Sequence, residues 1–291
     1  MGDNKMEKNN SIKKISLYCV LIFSMLLVGC CINVSCVGPQ EKFTKIVHMP
    51  ATPLQPGSGF AAKTHNGSIT VTGSNVSECN LTATVEGRAR TVEEAEDVVE
   101  QTELRFEHTN DGLVFVIKKP EVMINRSVSV SLDITVPREV NLKLETHNGA
   151  VKIFNITGQT VATTHNGKVS ANNISGTTRL VTHNGKIESR EVSGDINCNT
   201  HNGGIETYYS QTSNPDSNIS MVTHNGSIEL TTPPDYSANI KASTHNGSIN
   251  TDLPVTVIGK VSKNNLTGRI GEGQAEGELD LQTHNGSIRI R

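Results

Sequence analysis

The chain has 291 residues, of which 35% are hydrophobic and only 3% aromatic, with no Trp. So little aromatic bulk excludes a conventional core for a globular domain of this length. It points to a thin core of Val, Ile, Leu and Thr, of the kind that stacked β coils build because each layer covers the next. A formal net charge of −3 leaves no basic footprint for nucleic acid, nor for an anionic membrane surface.

The first segment reads as a targeting sequence. Lys5, Lys8, Lys13 and Lys14 precede an apolar run from Ile15 to Val28. That run is shorter than the ~20 residues of a transmembrane helix and fits the core of a secretory signal. It ends in Leu27-Val28-Gly29-Cys30, which resembles the bacterial lipobox. The resemblance implies that residues 1–29 are removed and that Cys30 is acylated, which makes membrane lipid a partner of the chain. Several acyl chains, each contributing ~0.8 kcal/mol per buried CH₂, anchor stably where one is marginal. An ordinary signal cleaved nearby, with Cys30 incidental, is the alternative. Of the six cysteines, Cys19 lies in the signal, Cys31 and Cys36 lie beside Cys30, and Cys79 and Cys198 fall in the body. No CxxC pair occurs in the body, so neither a zinc site nor a disulfide framework is indicated. Cys198 falls on a core position, and a buried free thiol is expected there rather than a bridge to Cys79.

Residues 30–58, with Pro39, Pro50, Pro53 and Pro56, read as a tether. Residues 59–140 read as strands plus one helix, a β-helix-β subdomain that caps the open end of the repeat region. The helix is expected over Thr91–His108, with Thr91 as cap, Glu94 three residues later, and an apolar stripe of Val92, Ala95, Val98, Val99 and Leu104. Strands are expected over Gly112–Lys118 and Ser127–Val136.

Residues 141–291 are dominated by an internal repeat. The tetrad Thr-His-Asn-Gly starts at Thr64, Thr146, Thr164, Thr182, Thr200, Thr223, Thr244 and Thr283, and holds eight of the ten histidines. The central copies are spaced by 18 residues. Val or Ile follows each tetrad, and Leu142/Leu144, Thr160/Ala162, Thr178/Leu180 and Ile196/Cys198 alternate before it, so these positions share one strand face. The tetrad Thr continues that inward face and the His points out. Asn-Gly marks a tight corner, because both residues tolerate positive φ. Two strands and two corners per unit fit either a flat meander or a solenoid. The meander would leave an apolar face uncovered, so an all-β stacked solenoid is the expected fold, with Asn side chains hydrogen-bonded from coil to coil.

The helix EEAEDVVEQ, the strand VSLDITVPREVNLKLETHNGAVKI, the repeated T-x-N-G-x-I/V and the closing LQTHNGSIRIR are similar to the bacterial putative-adhesin domain of unknown function, the toast-rack fold, over residues 59–291. The resemblance implies a stacked β fold in envelope or surface proteins and brings no catalytic residues. This chain departs from the pattern by fixing His in nearly every turn.

The chemistry of the repeat centres on those imidazoles. His147, His165, His183, His201, His224 and His245 are expected to form an outward column at the ~4.8 Å rung spacing, and neutral imidazoles suit Zn, Ni or Cu. The plainer reading is that the column comes from duplication of a working turn, with each ring stacking on the next. Glu188, Glu206 and Glu229 form an acidic strip by the same periodicity, a weak divalent-cation site or simply a solvated face. Arg179, Arg190, Glu191 and Asp195 do not assemble a localised carboxylate pair, and no nucleophile motif stands out, so no enzyme and no cofactor are expected. The sequence therefore predicts a lipid-anchored envelope protein facing the periplasm or the exterior. It would be an adhesin-like module, scaffold or sensor contacting a surface glycan or envelope protein. A metal-binding envelope protein is the alternative, and a polysaccharide-active enzyme a more distant one.

Overall fold

The structure, a computed structural model, describes residues 40–291 except 122, 212, 215, 234, 259, 260 and 273–276. The targeting segment and Cys30 lie outside the described residues. The repeats wind as a solenoid. Thr160–Asn166 runs along one face and turns at Gly167, and Val169–Ser175 returns along the other. After a second corner at Gly176, Thr178–Asn184 and Ile187–Ser193 repeat the path one rung on. Thr160 pairs in parallel with Thr178, and Val169 with Ile187. The described strands thereby form two twelve-stranded sheets. Ala162, Thr164, Val169, Ala171 and Ile174 face the space between the sheets and are buried. The thin aliphatic core is the one the composition implies. Cys79 and Cys198 are both buried and free.

The two corners of each rung work differently. The expected positive φ at Asn-Gly is not how the tetrad corner is made. Among the described tetrad residues only Gly67 has one, at 132°. Glycine is required there by proximity instead. A Cβ on Gly167 would sit 1.9 Å from the carbonyl oxygen of Gly149, and a Cβ on Gly185 equally close to that of Gly167. Positive φ appears in the return strand and its far corner, at Asn155, Asn173 and Glu191 and at Gly158, Gly176 and Gly194. The left-handed residue in mid-strand breaks the period-two alternation, so that the inward positions run 169, 171 and then 174. Asn adopts this conformation at lower cost than Glu. Asn173 also donates from Nδ2 to Asn155 Oδ1 at 2.8 Å, a bond Glu191 cannot extend as a donor.

Both ends of the solenoid depart from sequence order. Gly59–Lys63 and Ile69–Ser74 form the first rung, and stack on the rung of Asn141–Asn148 and Val151–Thr157 despite the long insertion between them. Near the C-terminus, Ala238–Asn246 pairs antiparallel with Asn265–Ile270, which covers one edge. The chain then returns, and Gly277–Asn285 inserts in parallel between Ile219–Asn225 and Ala238–Asn246. The last tetrad in sequence is thus the next-to-last in space.

The insertion between the first two rungs corrects two expectations. The helix α1 spans Val92–Glu100 and stops well before His108. Thr91 caps it, accepting from the Glu94 N–H at 3.2 Å. Ala95, Val98 and Val99 are buried, whereas Val92 is 43% exposed. Glu103–Thr109 is a strand antiparallel to Gly112–Lys118. Its Leu104 and Phe106 pack inward, while Glu103, Arg105 and Glu107 form ion pairs outside. Period-two alternation wins there over continuation of the helix. Residues 41–48, read as part of a tether, form a strand paired antiparallel with Glu78–Ala89, and Pro50, Pro53 and Pro56 come after it. Lys45 on that strand is ion-paired to Glu100 of α1.

Two consequences are measurable by denaturant unfolding. Gly185→Ala must force its rung away from the one before and should cost more than about 4 kcal/mol or abolish folding. Gly57→Ala meets nothing within 4 Å at φ +81° and should cost only the left-handed backbone term of about 1–2 kcal/mol. Equal losses would remove the close-approach account of the tetrad glycine. Conversely, Glu191→Asn relieves a glutamate held at φ 50° and should stabilise the chain by about 1 kcal/mol.

A histidine ladder on one face

Each tetrad residue acts along the stack. The Thr hydroxyl is buried and donates to the Gly carbonyl of the preceding rung: Thr164 to Gly149 and Thr182 to Gly167 at 2.9 Å, and Thr223 to Gly203 at 2.8 Å. The Asn side chains form a continuous amide ladder. Asn166 donates to Asn148, Asn184 to Asn166 and Asn202 to Asn184, each at 2.8 Å. Its far end runs Asn225, Asn285, Asn246, the order the inserted rung dictates.

The imidazoles stack beside this ladder. Ring centroids of His65, His147, His165, His183, His201, His224, His284 and His245 lie 4.7–5.0 Å apart in that order. The expected column therefore exists, but with two members beyond the six that the sequence predicts. His65 joins it because the first rung stacks on the second. His284 separates His224 from His245 because the last rung is inserted. Register between distant segments decides both, and tetrad spacing carries no signal of it.

Pairs such as His65/His147 and His201/His224 are nearly parallel, with 4° and 1° between ring planes. Equivalent nitrogens in them lie about as far apart as the centroids, whereas two ligands of one tetrahedral zinc lie about 3.3 Å apart. Among the described residues no three His, Cys, Asp or Glu side chains are grouped to hold a metal ion. At His165 and His284 the Nδ1 lies 3.3 and 3.2 Å from the Oδ1 of the following Asn. That oxygen only accepts, so Nδ1 is the donor in this hydrogen bond.

The charges around the ladder are unevenly signed. Two positions before each His, on the same strand face, stand Lys63, Glu145, Thr163, Val181, Asn199, Val222, Gln282 and Ser243. Glu145 is the one acid of that column, and it is ion-paired to Lys63 at 2.6 Å. Two positions earlier come Lys143, Arg179, Lys241 and a single acid, Asp280, which accepts from the Gln282 side-chain amide. Lys119 stands at the His65 end, and burial lowers its pKa. The other sheet presents the opposite arrangement. Glu188 and Glu206 of the expected acidic strip are bridged by Lys186, and Glu188 also by Lys168. Glu229 lies in register with Arg289. Hydrogen bonds from Lys168 and Lys186 lower the Glu188 carboxyl, while burial only partly offsets the bonds that raise Lys186. Glu188 and Glu206 thus belong to a compensated ion ladder, whereas Glu229 has Arg289 only as its register neighbour.

Comparison with known proteins finds a family model and several solved structures. Residues 58–291 match the family model described as Toastrack DUF4097. Among solved structures, a putative cell adhesion protein from Clostridium sporogenes is 14% identical, covers 87% of this chain and 99% of its own, and has a TM-score of 0.37. A putative adhesin from Bacteroides fragilis is 12% identical, with 86% and 97% covered and a TM-score of 0.39. A third, a putative adhesin from Parabacteroides distasonis, is 12% identical, with 87% and 98% covered and a TM-score of 0.32. No curated protein matches the chain.

The ladder makes folding sensitive to mild acid. Burial, followed by the charges of His147 and His183, lowers the His165 pKa. Burial, then Lys119, His147 and Lys63, lowers that of His65. An unfolded imidazole takes up its proton near 6.5, and these folded ones resist it. Their stabilisation is therefore complete above about pH 6.5 and is lost as pH falls through that value toward the folded pKa values. The melting temperature should drop between about pH 7.5 and 5, and His165→Asn should blunt the drop. A melting temperature that stays flat over this interval would remove the electrostatic coupling between rungs.

Proposed function

The chain belongs to the Toastrack DUF4097 family, and we propose that it is a lipid-anchored envelope protein that presents a rigid β stack for adhesion-like contact or scaffolding at the cell surface, without catalysis. The observation that carries this reading is the stack itself. Its rungs are joined by threonine, asparagine and backbone bonds along one corner, and it offers a long, regular outer face. A hydrolase of glycans would need a localised pair of carboxylates. Glu188 and Glu206 of the ion ladder are held by lysines, and Glu145 by Lys63.

Anchoring rests on Leu27-Val28-Gly29-Cys30 following a lysine-rich start and an apolar run. On this reading residues 1–29 are removed, Cys30 carries the acyl chains, and the domain faces the periplasm or the exterior. Its contacts would be a surface glycan or an envelope protein. The metal-binding alternative is not favoured by near-parallel rings 4.8 Å apart.

Cell fractionation with metabolic fatty-acid labelling tests the anchor. Cys30→Ala should abolish the label and shift the protein out of the membrane fraction or leave it unprocessed. Continued processing and membrane association in that variant would overturn the lipid anchor.

A further inference from the structure

We propose that the outer face of the histidine ladder is an acid-gated binding strip for a linear polyanion, an extended chain carrying a carboxylate or phosphate on successive units. Eight imidazoles stand 4.7–5.0 Å apart in one line, so the line extends for about 34 Å. Unit charges in water interact at thermal energy when about 7 Å apart. A protonated ladder lies well inside that distance. Like the phosphates of a nucleic acid, with the sign reversed, it must draw counter-ions from solution, and a polyanion displaces them with a gain in entropy.

The ladder also lacks counter-charges of its own. Lysines and glutamates alternate on the other sheet and satisfy one another. Beside the histidines, Glu145 is already held by Lys63, and Asp280 accepts from Gln282. Lys119, Lys143, Arg179 and Lys241 lie along the same face or at its end. Asp195 and Glu278, six positions before His201 and His284, offset part of these cations, so the face is close to neutral when the rings are neutral and becomes a dense cationic line when they protonate, although the whole chain is net negative. The pKa values of His65 and His165 are lowered first by burial and then by repulsion from neighbouring cations, rings among them. A bound anion would relieve it, so binding and protonation promote each other.

A line suits a chain better than a plane. The rings cover one another's faces, and what they present outward is a row of edges, which become N–H donors at fixed intervals once the rings are protonated. An extended polymer can follow that row, whereas an isolated anion reaches only one or two rings and forgoes the multivalent gain. This deepens the adhesion-like reading by giving its partner a chemical class. The ladder is nevertheless independent of the lipid anchor, and either can fail alone.

The test uses the full chain in neutral detergent, with polygalacturonate and inorganic polyphosphate as probes, followed by titration calorimetry near pH 5.5 and pH 7.5. Both polymers should bind at least about tenfold more tightly at the acid pH, and added salt should weaken the binding. Monomeric galacturonate and inorganic phosphate should bind at least about tenfold more weakly than the polymers. Binding of only one polymer would identify the anion as carboxylate or phosphate and still support the strip. The combined variant His147→Asn, His183→Asn, His201→Asn and His224→Asn changes exposed side chains only, and should lose the acid-induced increment. As a second variant, Lys168→Gln with Lys186→Gln opens the ion ladder on the other sheet and should leave that increment in place. Equal affinity at both pH values, an increment that survives loss of the histidines, or vesicles of anionic lipid binding as tightly as the polymers would overturn the proposal. Retained binding by Cys30→Ala would separate it from the anchoring question.

Discussion

At the tetrad corner the backbone of one rung comes so near the next that no side chain fits between them. The carbonyl of Gly149 lies where a Cβ of Gly167 would be, and the same holds from Gly67 to Gly247 across every stacked pair. Only glycine allows it, and the approach fixes what the other tetrad positions can do. It brings each Gly carbonyl within 2.8–3.0 Å of the following threonine hydroxyl. It sets consecutive asparagines at the distance of a side-chain amide bond, and consecutive imidazoles at stacking distance. Each bond is modest, about 0.5–1.5 kcal/mol net, but they recur at every rung. A core with so few aromatics is held in one register largely by this corner.

The same corner explains what could be read from the sequence. Thr inward, His outward and Asn in a ladder follow from alternation and period, because both are local properties repeated many times. The reason for the glycine did not follow. Asn-Gly signals positive φ in an isolated hairpin, but in a stack the same residue serves the neighbouring rung, and one chain segment says nothing about its distance from another. The left-handed Asn155 and Asn173 were equally hidden, since they sit in mid-strand without a glycine to mark them. The end of α1 escapes the sequence pattern for a related reason. Leu104 fits a helical stripe, and only Phe106 and the alternating charges reveal a strand.

Spatial order was the least legible property. Identical tetrads can pair in any order, so spacing alone suggests that the rung of Thr244 comes directly after that of Thr223. Gly277–Asn285 instead lies between them. Asn265–Ile270 pairs antiparallel with the outer side of Ala238–Asn246, which leaves the inner side of that strand for the returning segment. Repetition makes the inserted rung interchangeable with its neighbours, so its threonine, asparagine and histidine join ladders already present.

The two charged rows on the two sheets show how much the stack leaves to side-chain choice. Both occupy positions where one residue type faces its copy at rung spacing. Where lysine and glutamate alternate, the row neutralises itself, and each partner holds the other in its charged form. Where histidine repeats, nothing in the row can neutralise it, and the outcome depends on pH. A permanently charged residue in every rung would repel its neighbours under all conditions, and an apolar one would expose a long hydrophobic stripe. Histidine can stack as a neutral ring, and acid gives it a positive charge. Thr, Asn and Gly at the tetrad corner are accounted for by bonds and approaches within the stack. The ring edges of histidine are the part of the motif left available to something outside it.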